Sequence, residues 1–100
     1  MTRSQTRLRA KRGKRGQLLR ELDRLEAMNA VRESSGFLGA VVLVPEGDPD
    51  GVLLEQSWAS VEHYERWRAT TGPVELLRGL RRLLADEPEV GVYQVVDTLG

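Results

Sequence analysis

Three of the chain's five aromatic side chains and its only histidine fall within ten residues: Trp58, His63, Tyr64 and Trp67. Aromatic rings make dry walls for a small-ligand site, and a few polar groups among them set the ligand's orientation. Histidine as a residue type can exchange a proton near neutral pH, so His63 is a candidate general base. Tyr64, the Trp58 indole N–H and an arginine such as Arg78 are candidate donors for a developing anion. The competing use of the same residues is packing, because rings at a strand end and at helical spacing also fill small cores.

At 100° per residue, Val61, Tyr64, Trp67, Arg68 and Thr71 share one arc of a helix starting near residue 60, and His63 falls about 40° outside Trp67. Tyr64 and Trp67 can therefore look into the same space, with His63 at its margin. In the next helix Arg78 flanks a leucine stripe, from which its long stem could reach a cavity mouth or water.

The elements that would hold these residues follow from periodicity. "SQTRLRAK" (4–11) alternates, with Thr6, Leu8 and Ala10 on one side and Arg7, Arg9 and Lys11 on the other, as a half-buried strand does. From about 15 to 33, Leu18, Leu22, Leu25 and Met28 recur at helical spacing, flanked by Leu19 and Val31. Gly36 suits a left-handed cap after this helix. "FLGAVVLV" (37–44) is apolar on both pleat faces and reads as a strand covered on both sides. "PEGDPDG" is turn chemistry, and 52–58 returns as the partner strand of a hairpin. Ser60 suits an N-cap, and Glu62 sits where the helix dipole favours an acid. Pro73 starts a further helix running to about Ala85, with Val74, Leu77, Leu80 and Leu84 expected to face inward. Residues 90–99 read as the last strand.

The order β-α-β-β-α-β predicts an α+β, ferredoxin-like fold with a four-stranded antiparallel sheet and its helices on one face. That uses every helix on one side. The apolar second face of strand 37–44 then calls for a cover, and a homodimer packed sheet to sheet supplies it.

Composition narrows the functional classes. One hundred residues make one domain, 1–100, with a modest core. No apolar run approaches the roughly 20 residues of a membrane helix. Residues 1–20 hold no apolar signal segment, so a cytoplasmic protein is expected. The absence of cysteine excludes disulfides, thiolate metal sites and cysteine nucleophiles. Residues 1–20 carry eight basic side chains and no acid, while the other eighty carry seven basic and fifteen acidic ones. Such asymmetry can mark a surface for an anionic partner, and residues 1–5 are a candidate disordered basic arm. Residues 1–36 contain no aromatic. The basic–aromatic interleaving of nucleic-acid binders is therefore absent, and nucleic acid is not the expected partner.

The chain resembles the antibiotic biosynthesis monooxygenase family of dimeric α+β barrels. The resemblance covers residues 6 to 97. It rests on a basic strand running into "GKRGQLLRELDRL", on "SSGFLGAVVLV", on "LLEQSWASVEHYERW" with its strand-end Trp58 and capping Ser60, and on the closing "VGVYQVV". The family includes oxygenases that convert anthrones to quinones without metal or flavin, quinol oxygenases, haem degraders and members without known activity. The anthrone oxygenases match at Trp58, Tyr64 and Arg78, and place an asparagine where this chain has Leu54. The haem degraders carry a tryptophan at Trp67, an axial histidine where this chain has Leu77, and a first-strand asparagine for which Gln5 is a poor substitute.

The resemblance thus implies a cofactor-free oxygenase of an aromatic polyketide, anthrone or quinol-type phenol. Together with the residue chemistry above, this leaves Tyr64, His63 and Arg78 as catalytic candidates and Trp58, Trp67, Leu54 and Leu77 as the substrate wall. No metal, haem or other cofactor is expected. The alternatives are a non-catalytic dimeric module that binds a small ligand or protein and, more remotely, a polyketide cyclase or isomerase.

Overall fold

The alternation at the N-terminus builds the middle of a sheet. A computed structural model describes residues 1–28 and 33–100. In it β1, Thr2–Arg9, lies between β3, Gly51–Trp58, and β4, Glu89–Gln94, while β2, Phe37–Leu43, forms the edge beyond β3. All pairings are antiparallel and the strand order is β2-β3-β1-β4. Helices α1 (Arg15–Met28), α2 (Val61–Arg68) and α3 (Gly72–Leu80) complete the expected α+β ferredoxin-like fold. No helix among the described residues is long and apolar enough to cross a membrane.

β1 begins earlier than the sequence pattern suggested. Thr2 to Gln5 pair with β3 on one side and β4 on the other, so the first five residues are not a loose arm. The reason is that the same alternation continues upstream through polar residues: Thr2 and Ser4 are buried like Leu8 and Ala10. Their hydroxyls hid the pattern. The basic side chains of β1 point outward, where acids meet Arg3 and Arg9. Arg3 pairs with Glu55 at 3.5 Å, Gln5 Nε2 donates to Glu55 Oε2 at 3.1 Å, and Arg9 pairs with Asp48 at 3.1 Å. The Asp48 carboxyl is held below its ordinary range, first by the Asp50 backbone N–H and then by Arg9.

The main core is aliphatic. Leu18 and Leu22 of α1 are fully buried against Leu8, Val52 and Leu54 of the sheet and Leu80, Leu83 and Leu84. Burying each such leucine contributes about 1.5–3 kcal/mol. The Met28 side chain and Val31 lie outside the described residues. Gly79 lets α3 approach α1, since a Cβ there would meet Leu25 Cδ1 at 2.6 Å.

The third helix differs from expectation. It stops at Leu80 and continues as a 3-10 turn over Arg81–Leu83, after which Leu84 is extended and bridges Ala10. Val74 is 59% exposed; Leu76, Leu77 and Leu80 turn inward instead, with Leu83 and Leu84 buried from the turn beyond. At 100° per residue Val74 falls about 110° from the centre of the Leu76, Leu77 and Leu80 arc, and the 3-10 turn at about 120° per residue affects only Leu83 and Leu84 beyond it. Residues 95–99 lie beyond β4, although the Val95 N–H still donates to Met1 O at 2.9 Å.

β2 is apolar on both faces, yet in one chain it is a half-exposed edge. Leu38, Val41, Val42 and Leu43 all remain accessible to water. Register places Val41 and Leu43 beside Glu55 and Leu53 on the outer face, away from the helices.

Candidate active site

The Ser60 cap sets the direction of α2. Ser60 is extended, at φ −152° and ψ 166°, and its Oγ accepts from the His63 backbone N–H. The same Oγ and the helix N-terminus hold the Glu62 carboxyl below its ordinary range, with the Glu62 backbone N–H the largest influence. The chain leaves β3 at Trp58, turns through Ala59 and Ser60, and starts a helix whose inner face carries Tyr64 and Trp67. The Ala59 N–H donates to Gly36 O at 2.8 Å and ties this turn to the start of β2. Gly36 adopts φ +80°, the left-handed conformation expected at that position.

Four of the five aromatics form one cluster. Trp58 is fully buried, with Phe37 at 5.3 Å, Tyr64 at 6.1 Å and Trp67 at 5.4 Å between ring centroids. Tyr64 and Trp67 are 6.4 Å apart. The Phe37 and Tyr64 contacts are edge-on to Trp58, and each such pair adds about 0.5–1.5 kcal/mol beyond burial. The cluster pins α2 to one end of the sheet.

Beside it lies a cavity of about 450 Å³ between the helices and the inner sheet face. Tyr64 and Trp67 form one wall. Leu76, Leu77 and Leu80 of α3 form another, with Pro73 and Pro88 at its margins. The floor is the inner face of β1 and β3: Ser4, Thr6 and Leu8 beside Leu54 and Gln56. Glu65, Arg68, Val90 and Val92 also line the cavity and remain exposed, so it meets solvent along the β4 side. Arg68 Nη1 donates to Glu65 Oε2 at 3.3 Å across that mouth.

Burial raises the Tyr64 hydroxyl above the ordinary phenol range; Arg68 opposes the shift weakly and Glu65 adds to it. The hydroxyl stays protonated at neutral pH and can donate, and it has no hydrogen-bond partner among the described residues. Two buried nitrogens also lack partners, Gln56 Nε2 and Trp58 Nε1. An unpaired buried donor costs about 1–3 kcal/mol, so such groups are rare without a use.

The structure sorts the residues singled out by sequence. Tyr64, Trp67, Leu54 and Leu77 reach the cavity. Trp58 lies behind the wall, within the aromatic cluster. His63 and Arg78 do not line it. His63 faces Gly36, and its Nδ1 sits 2.7 Å from Ser60 Oγ. Arg78 is exposed on the outer side of α3. The arginine at the mouth is Arg68, one turn beyond Tyr64 on the same arc. Gln56 and Ser4 were not anticipated. Alternation could have found Gln56, because it shares a strand face with Leu54 and Trp58.

No group of three or more metal-ligating His, Cys, Asp or Glu side chains occurs among the described residues. Among curated proteins none matches the chain. Solved structures do. SnoaB, a cofactor-independent oxygenase from Streptomyces nogalater, superposes with a TM-score of 0.80 at 18% identity, over 98% of this chain and 95% of SnoaB. Rv0793 from Mycobacterium tuberculosis gives 0.78 at 16% identity, over 99% of this chain and 98% of that one. A conserved protein from Methanosarcina mazei gives 0.78 at 15% identity, covering 93% and 90%. At these identities the likeness concerns the fold. The family model for antibiotic biosynthesis monooxygenase matches residues 1–72, most of the chain and all of the segment from β1 to the end of α2. The chain belongs to the antibiotic biosynthesis monooxygenase family.

Proposed function

We infer that the chain is a cofactor-independent oxygenase of an electron-rich aromatic substrate, an anthrone, quinol or related phenol. The observation that carries this reading is the cavity of about 450 Å³, apolar toward the helices, with Tyr64 and Trp67 on its wall. It falls within the roughly 300–1,000 Å³ of small-ligand sites. The fold shared with SnoaB, itself a cofactor-independent oxygenase, supports the reading.

For an anthrone the atoms balance without a further reductant. The two C–H bonds of the methylene carbon break, and that carbon forms a carbonyl with one atom of O₂. The other oxygen atom leaves with the two hydrogens as water, and the four electrons come from the substrate. The residues' part is to hold the ring system among Trp67, Leu76, Leu77 and Leu80, to exclude water, and to place the Tyr64 hydroxyl as a donor to the substrate anion. A preplaced donor in a dry site stabilises developing charge far better than water does.

A specific observation favours the rival, a non-catalytic binding module. The cavity wall has no imidazole, and it has Leu54 at the position where the family resemblance implies an amide in the anthrone oxygenases. Oxygen uptake separates the two. The oxygenase reading expects purified protein to accelerate oxygen consumption by an anthrone or a reduced naphthoquinone. Binding without acceleration across such a panel would leave the module.

A homodimer is part of the same proposal. Val41, Leu43 and Tyr93 are exposed on the outer sheet face, and no helix among the described residues covers them. The charged groups in their midst, Arg3 and Glu55, are already paired with each other. That lowers the cost of burying them against a second sheet.

A further inference from the structure

The Gln56 amide is 2% exposed and forms part of the cavity floor. Register sets it directly opposite Ser4 on β1. Ser4 Oγ donates to Gln56 Oε1 at 3.3 Å, which engages the carbonyl end of the amide. The other end, Nε2, has no partner, and neither end reaches bulk water. An isolated core gains nothing from this arrangement, because a buried donor without an acceptor is destabilising and an aliphatic side chain would pack there more favourably. The neighbouring cavity residues Leu8, Leu54 and Leu80 are apolar, and Thr6 and Glu65, which share the lining, do not bond Nε2. An acceptor arriving in the cavity could, once the amide of this lining residue rotates to present Nε2 to it.

We propose that Gln56 Nε2 recognises a carbonyl or phenolate oxygen of the aromatic ligand, with Ser4 as the positioning residue that turns the amide toward it. The inference rests on the reading of the cavity as an aromatic-ligand site. It also answers the absence of an amide at position 54: Gln56, two residues along the same strand face, supplies one from the floor. A site with a dry, unpaired donor discriminates strongly, since a ligand without an acceptor leaves that donor unpaired. The cavity therefore selects aromatic compounds carrying an exposed oxygen over hydrocarbons of the same shape.

The test compares α-tetralone, which carries a carbonyl, with tetralin, which does not, by equilibrium dialysis. The readout is the ratio of the two dissociation constants, so that differences in hydrophobicity cancel between variants. Gln56→Met is expected to shift this ratio against α-tetralone by roughly tenfold, the worth of one neutral hydrogen bond in a dry site. Ser4→Ala is expected to shift it in the same direction by less. The double variant Ser4→Ala/Gln56→Met removes both polar partners, so its melting temperature should equal or exceed that of the wild type. A purely structural role for the pair predicts a lower melting temperature and an unchanged ratio, and that result would overturn the proposal. An unchanged ratio with normal oxidation of anthrone sinks this inference alone. A shifted ratio with no oxygen uptake supports it and sinks the oxygenase reading. Failure of the wild type to bind either compound at millimolar concentration overturns both.

Discussion

His63 and Ser60 close the first turn of α2 on each other. Nδ1 lies 2.7 Å from Ser60 Oγ, and the same Oγ accepts from the His63 backbone N–H at 3.4 Å. The ring packs on Gly36, where a Cβ would fall 2.2 Å from its Cγ. The only histidine of the chain is therefore a local clasp between a helix cap and the start of β2, and it faces away from the cavity.

Replacing His63 should consequently affect folding more than chemistry. His63→Ala is expected to lower stability by about 1 kcal/mol through a weakened cap. Turnover should fall less than about threefold, whereas loss of a general base costs about 10²–10⁴. Steady-state oxygen uptake, measured beside a urea unfolding curve, decides between these.

Tyr64 should behave in the opposite way. Its hydroxyl has no hydrogen-bond partner among the described residues to lose. Tyr64→Phe is therefore expected to change stability by less than about 1 kcal/mol. If the hydroxyl donates to the substrate anion, turnover should fall on the order of 10²-fold, as for other lost oxyanion donors. Anthrone oxidation at wild-type rate by the folded variant would exclude that role.

The same phenol makes a pH prediction. Burial holds its pKa above the ordinary value, so the native state keeps the proton after the unfolded chain has released it. The unfolded phenol ionises near pH ~10. Below that value the Tyr64 contribution to stability is fully present. As pH climbs through the raised native value it is lost, because the native state then binds more protons than the unfolded one. Urea midpoints measured from neutral to alkaline pH should fall above this point in the wild type, and fall less in Tyr64→Phe. Parallel curves would mean that Tyr64 is not desolvated in solution.

The outer sheet face predicts an assembly. Val41 is half-exposed there, and a lysine in its place would not disturb a single chain. In sedimentation velocity at micromolar concentration the wild type is expected to run as a dimer and Val41→Lys as a monomer. Val74→Lys, on exposed α3 away from the sheet, should leave the dimer intact. A monomeric wild type would end the proposal.

Patterns with one dominant local cause were legible without coordinates. The alternation of β1 past Thr6 and Leu8, the leucine spacing of α1, the serine cap at residue 60 and the positive φ of Gly36 each depend on a few neighbours in the chain. Element order was enough to imply the sheet, because few topologies accommodate it. What local pattern could not say was where neighbouring elements leave space. Tyr64 and His63 are adjacent in sequence and both half-amphipathic, yet one meets a cavity and the other a glycine, because α2 is rolled by the Trp58 cluster. Val74 looked like a core position, but α3 is rolled so that Leu76, Leu77 and Leu80 face the sheet and Val74 faces water. Ser4 and Gln56 are polar and fifty-two residues apart, so alternation could put each on an inner strand face but could not bring them together. Only the pairing of β1 with β3 puts one opposite the other, and only the enclosing helices leave the amide dry and unpaired.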